Sequence, residues 1–168
     1  MEKDVKEMKL AVIMFVLIVF LSCTTYMPRK NEITKIEIAT SGCYGTCQST
    51  AISIDNNLNY KYYGGRYASL KGYYLGKVTK GFWDTLNMKL EHIKYKQMDT
   101  TYNVNIDLPE TELIIHYNGL VKHIQSDFFR KPDSIWNVLN WLKNSYQKIK
   151  LHETKKKIQF QTKAQNNH

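Results

Sequence analysis

Residues 111–125 read "TELIIHYNGLVKHIQ", and the turn at their centre decides the fold. Asn118 and Gly119 are the residue types that accept the positive φ angles of a type I′ turn. Such a turn joins two antiparallel strands through a two-residue loop. A hairpin closed there sets its own register, with Tyr117 facing Leu120, His116 facing Val121 and His123 facing Ile114. His116 and His123 then sit diagonally on one sheet face, close enough to share a small ion, with Glu112 and Gln125 further along it. They are weak candidates for a metal site, because histidines on a sheet surface far more often serve as plain polar surface.

Outward from the hairpin the period changes to helical. Before it, Phe82, Leu86, Leu90 and Ile93 recur at helical spacing and form one stripe of an amphipathic helix that begins after Thr79. The polar stretch 94–110 separates that helix from the hairpin. After it, Pro132 opens a second helix whose buried stripe is Ile135, Leu139, Leu142, Tyr146 and Ile149. Towards the N-terminus four short runs read as strands. "ITKIEIAT" (33–40) sets Ile36, Ile38 and Thr40 on one face and Lys35, Glu37 and Ala39 on the other. "AISIDNN" (51–57), "LNYKYYGG" (58–65) and "GYYLGKV" (72–78) follow with tight, polar or glycine-bearing connections. The order ββββ-α-ββ-α predicts one α+β domain over residues 33–147, an antiparallel sheet with two helices packed on one face.

The chain has 168 residues and a net charge of +9, so the placement of charge matters. Residues 31–147 hold thirteen basic and eleven acidic side chains, whereas residues 148–168 hold six lysines against Glu153 alone. A nearly neutral domain with a basic, flexible tail over 148–168 is expected, and the balance gives no case for a nucleic-acid partner.

At the other end, Lys9 is followed by twelve apolar residues, then Ser22 and Cys23. Twelve residues make about 18 Å of helix, short of the roughly 30 Å hydrocarbon core of a bilayer. The stretch resembles a bacterial lipoprotein signal. That resemblance implies a signal peptide over 1–22, lipidation of Cys23, a polar tether over 23–32, and a membrane-anchored place in the cell envelope, outside the cytoplasm.

Cys43 and Cys47 lie in "GCYGTC" (42–47) and could be a structural staple, a redox pair or part of a metal clamp. In an oxidising compartment the three cysteines resolve as one for lipid and two for each other. Closing so small a ring stabilises by roughly 2 kcal/mol on the chain-entropy model. A redox thiolate needs a nearby cation or a helix N-terminus, and the sequence offers neither beside Cys43.

Six of the twelve tyrosines fall within residues 60–74. Alternation sends some outward, so Tyr60, Tyr62, Tyr63, Tyr73 and Tyr74 are the expected contact surface for an envelope protein, peptide or glycan. The competing expectation is that these rings pack the sheet. No phosphate-binding loop, dinucleotide turn, nucleophile elbow or paired zinc-ligand motif is present, so no cofactor is expected and nothing argues for catalysis.

The stretch "IEIATSGCYGTCQSTAISID" (36–55), with "YKYYGG", "DLP" (107–109) and the last hairpin and helix, resembles a family of bacterial secreted and lipoprotein domains of unknown function. That family carries Cys-Phe/Tyr-Gly-x-Cys after its first strand. The resemblance covers roughly residues 33–147 and implies this architecture and an envelope location. It carries no activity with it. Members usually have proline directly after the second cysteine, where this chain has Gln48. The functional expectation is a binding or interaction module, with a metal or thiol-redox protein using Cys43 and Cys47, or a structural envelope component, as alternatives.

Overall fold

The computed structural model describes residues 32–102, 108–127 and 133–166. The leader 1–22, Cys23, the tether as far as Asn31, Asp107 and Pro132 lie outside the described residues. Asn31–His168 forms one compact unit. Its elements are β1 (Ile33–Thr40), β2 (Thr50–Asp55), β3 (Asn59–Gly64), β4 (Gly72–Lys77), α1 (Lys80–His92), β5 (Thr101–Tyr102), β6 (Glu110–Tyr117), β7 (Leu120–Asp127), α2 (Asp133–Lys143) and β8 (Leu151–Thr154).

The class is α+β. The four N-terminal strands form the expected meander, and the hairpin closes in the predicted register, with Tyr117 opposite Leu120 and His123 opposite Ile114. Asn118 and Gly119 have φ of 48° and 75°, the left-handed pair that a type I′ turn needs. The sheet order is β5-β7-β6-β1-β2-β3-β4-β8. Seven strands pair antiparallel, and the two-residue β5 adds to the edge at β7 in parallel. The hairpin docks beside β1 through β6, a pairing between segments far apart in sequence.

One face of the sheet carries the main core. Ile36, Ile38, Ile52, Ile54, Leu113, Ile115 and Ile124 pack with Trp83, Leu86 and Leu90 of α1 and with Ile135, Val138, Leu139 and Leu142 of α2. Thr79 caps α1 by accepting a hydrogen bond from the Phe82 amide at 3.1 Å. The helices are shorter than their apolar stripes. Ile93 is the C-cap of α1, and Tyr146 and Ile149 lie beyond α2, in and just after the 3₁₀ turn Ser145–Lys148.

Two expectations need correction. Among the described residues the sheet has eight strands rather than six, and residues 151–166 are not a free tail. Ile149 and Leu151 pack on the core, and β8 pairs with β4 beside Gly76. A Cβ at Gly76 would stand 2.8 Å from the Lys150 carbonyl oxygen, so the glycine is what lets the chain approach. Two apolar anchors and that notch outweigh the polar composition of the segment. From β8 the chain turns back across the helix-free face of the sheet, and residues 160–165 form a strap over it.

Candidate functional site

The helix-free face is where charged and aromatic groups converge. Alternation brings Lys35, Glu37 and Ala39 of β1, Glu112, Ile114 and His116 of β6, His123 of β7, Ala51 and Ser53 of β2, and Tyr63 of β3 to this side. Glu37 and Glu112 are 1% and 2% exposed. A buried carboxylate is costly unless charge and hydrogen bonds compensate it, and the strap supplies the hydrogen bonds. Glu37 Oε2 accepts from the backbone amides of Gln161 (2.6 Å) and Thr162 (3.4 Å). Glu112 Oε2 accepts from those of Lys163 (2.6 Å) and Ala164 (2.9 Å). Four consecutive amides are therefore held in pairs by two carboxylates. Lys35 Nζ lies 2.5 Å from Glu37 Oε1, and His123 Nε2 lies 2.8 Å from Glu112 Oε1. Glu110 is also on β6, and burial pushes its carboxyl above the ordinary value, with the Glu112 charge adding to the rise.

The strap is seated by a second, small apolar cluster. Ala39, Ala51 and Ala164 are buried together, with Tyr63 and Phe160 packed around them. Small side chains on the sheet let the strap backbone come within reach of the carboxylates. Ser49 Oγ donates to the Gln165 carbonyl at 2.8 Å and holds the far end.

The expected contact tyrosines divide by strand parity. Tyr60 and Tyr62 are fully buried in the helix-side core and are not a contact surface. Tyr60 Oη meets Ser145 Oγ at 2.7 Å, and Tyr62 Oη donates to the Leu70 carbonyl at 3.1 Å. Burial pushes both phenols above their ordinary pKa. Tyr74 is on the same side and donates to the Lys71 carbonyl. Only Tyr63 and Tyr73 are on the helix-free face, stacked at 4.8 Å, and Tyr63 borders the strap. Two aromatic rings alternating with polar residues look alike from either side, so the sequence could not say which side the helices would cover.

The two histidines take separate partners. His123 turns to Glu112, and His116 Nε2 lies 2.6 Å from Gln161 Oε1 of the strap. Among the described residues no group of three or more His, Cys, Asp or Glu side chains is arranged to hold a metal. Cys43 and Cys47 are joined by a disulfide with Cα atoms 5.4 Å apart. The ring presents Tyr44 at its tip, 83% exposed.

Sequence reasoning passed over a groove of about 490 Å³ beyond the strap. Lys61, Leu75 and His152 make one row across β3, β4 and β8 on the helix-free face, Asn59 and Lys77 make the next, and Lys150 closes the side. No local signal marks these residues, because lysines on outer strands are ordinary surface.

The family model for DUF6438, a domain of unknown function, matches residues 34–146. The chain belongs to the DUF6438 family. No curated protein matches it. In this DUF6438 chain the match takes in the disulfide loop, Glu37, Glu112 and both histidines, while β8 and the strap lie beyond its last matched residue.

Proposed function

We propose that the chain is a lipid-anchored cell-envelope domain that binds a peptide segment on the helix-free face of its sheet, with residues 160–165 as the resident occupant. The observation that carries this reading is the pair of buried carboxylates receiving four consecutive backbone amides. Such recognition reads main chain, and it asks only for a small side chain at the position of Ala164 and an aromatic one at that of Phe160. The anchor is supported by the twelve apolar residues before Ser22 and Cys23, and an oxidising envelope suits the Cys43–Cys47 disulfide.

A tethered occupant has an effective concentration on the order of millimolar. A foreign segment must overcome that competition, so the strap sets the threshold for binding. The test opens the face without altering the sheet. In the full chain carrying Ala164→Arg, a synthetic peptide of residues 158–168 is expected to bind saturably. Adding Glu37→Gln and Glu112→Gln should weaken it at least tenfold, because charge-assisted hydrogen bonds are about twice as strong as neutral ones. The unaltered chain should bind it at least tenfold more weakly than Ala164→Arg. If the amides of residues 161–164 exchange freely with solvent in Ala164→Arg and the peptide still fails to bind, the reading is wrong.

The anchor has its own check. Intact mass of the membrane-extracted chain, alkylated without reductant, should show a lipid adduct that disappears in Cys23→Ser and no alkylation at Cys43 or Cys47.

A further inference from the structure

The groove at β3, β4 and β8 is separate from the strap seat. It is lined by Leu75, 43% exposed, together with Lys61, Lys77 and Lys150. None of the groove's lining residues is a carboxylate. Lys77 reaches only a backbone carbonyl, that of Asn57 at 3.3 Å, and no ion pair joins Lys61 or Lys150 to a carboxylate among the described residues. An exposed leucine beside three lysines without a carboxylate partner among the described residues matches an anion that carries an apolar body.

Position narrows the class. Asn59 and Lys77 lie at the end of the sheet where β1 begins at Ile33, since Lys35 pairs with Asp55 and Asn59 with Lys77. The disulfide loop is at the opposite end, where Thr40 pairs with Thr50. A lipid on Cys23 would be nine residues from Glu32, a reach of at most about 30 Å. The groove thus opens towards the end of the sheet where β1 begins.

We propose that this groove holds the phosphate headgroup and first methylenes of an anionic phospholipid, with Lys61, Lys77 and Lys150 on the phosphate and Leu75 against the methylenes. The choice of a membrane lipid over a free anion rests on the anchored reading above, whereas the cationic groove itself does not.

The full chain, reconstituted in phosphatidylcholine bilayers doped with a photoreactive phosphatidylglycerol, tests both parts. Crosslinks are expected within residues 59–77 and 150–152, at least tenfold above those from a photoreactive phosphatidylcholine. They should fall at least tenfold in Lys61→Gln/Lys77→Gln/Lys150→Gln. The charge-matched Lys71→Gln/Lys94→Gln/Lys122→Gln should change them less than threefold. Lys77 and Lys150 are exposed, so the pair Lys77→Gln/Lys150→Gln serves if the triple variant does not fold.

Equal losses in the two triple variants would overturn the inference in favour of diffuse edge charge. Loss of the crosslinks on adding millimolar glycerol phosphate would overturn it in favour of a free-anion site. Absent crosslinks beside an intact Cys23 lipid adduct would overturn the groove and leave the anchor standing. Groove crosslinks without the adduct would support the groove and remove the anchor.

Discussion

Tyr62→Ala is expected to destabilise the domain by about 3–5 kcal/mol, the range for deleting a large aromatic side chain from a packed core. Tyr62 is fully buried. Its ring stacks on Tyr146 with centroids 4.8 Å apart and meets Tyr74 at 6.1 Å, and its hydroxyl satisfies the Leu70 carbonyl. Truncation removes all three interactions and leaves a cavity between β3 and the turn after α2. Small domains have only about 5–15 kcal/mol of stability in total, so the variant should sit near its unfolding midpoint at physiological temperature. Tyr62→Phe separates the contributions: it keeps the stack and leaves the Leu70 carbonyl without its donor, for about 1–3 kcal/mol. Denaturant unfolding measures both. A loss below about 0.5 kcal/mol for Tyr62→Ala is what an exposed contact residue would give, and it would contradict the packing described.

Gly64→Ala should be comparably damaging for a different reason. A Cβ at residue 64 would stand 1.7 Å from the Leu70 carbonyl oxygen and 2.9 Å from Tyr62 Oη. The first is backbone, so relief requires the 65–71 loop to lift away from the end of β3. That movement would also pull the Leu70 carbonyl from Tyr62. Overpacking typically costs 1–3 kcal/mol and occasionally more. With a backbone clash this close and a linked buried hydrogen bond, about 3 kcal/mol or more is expected in denaturant unfolding. Gly119→Ala is the control. Nothing lies within 4 Å of its added Cβ, and its φ is +75°, so only the left-handed conformation is penalised, by about 1–2 kcal/mol. Similar losses at the two glycines would mean that the loop accommodates the methyl group and that the close approach of Leu70 is not restrictive.

The two variants mark where local pattern stops being informative. Residues 60–74 read correctly as two alternating strands with a glycine-bearing connection, because alternation is a property of the backbone at those positions. Which parity faced the helices was not in that pattern, and Tyr60 and Tyr62 were expected outside for that reason. Glu37 shows the same limit from the other side. Between Ile36 and Ile38 it has the pattern of an ordinary solvent-facing residue. It is buried only because residues 161 and 162, more than a hundred positions later, bring amides to it.

The sequence by itself determined the α+β class, the meander and the hairpin register at Asn118 and Gly119. Each of these depends on neighbours within a few residues, where turn chemistry and periodicity act directly. The tertiary structure decided the place of the hairpin beside β1, the burial of Tyr60 and Tyr62, and the capture of residues 160–165 by Glu37 and Glu112. It also decided the meeting of Lys61, Lys77 and Lys150 around Leu75. These join segments distant in the chain, and their free energy comes from burying apolar surface and neutralising buried charge together, which no single stretch records.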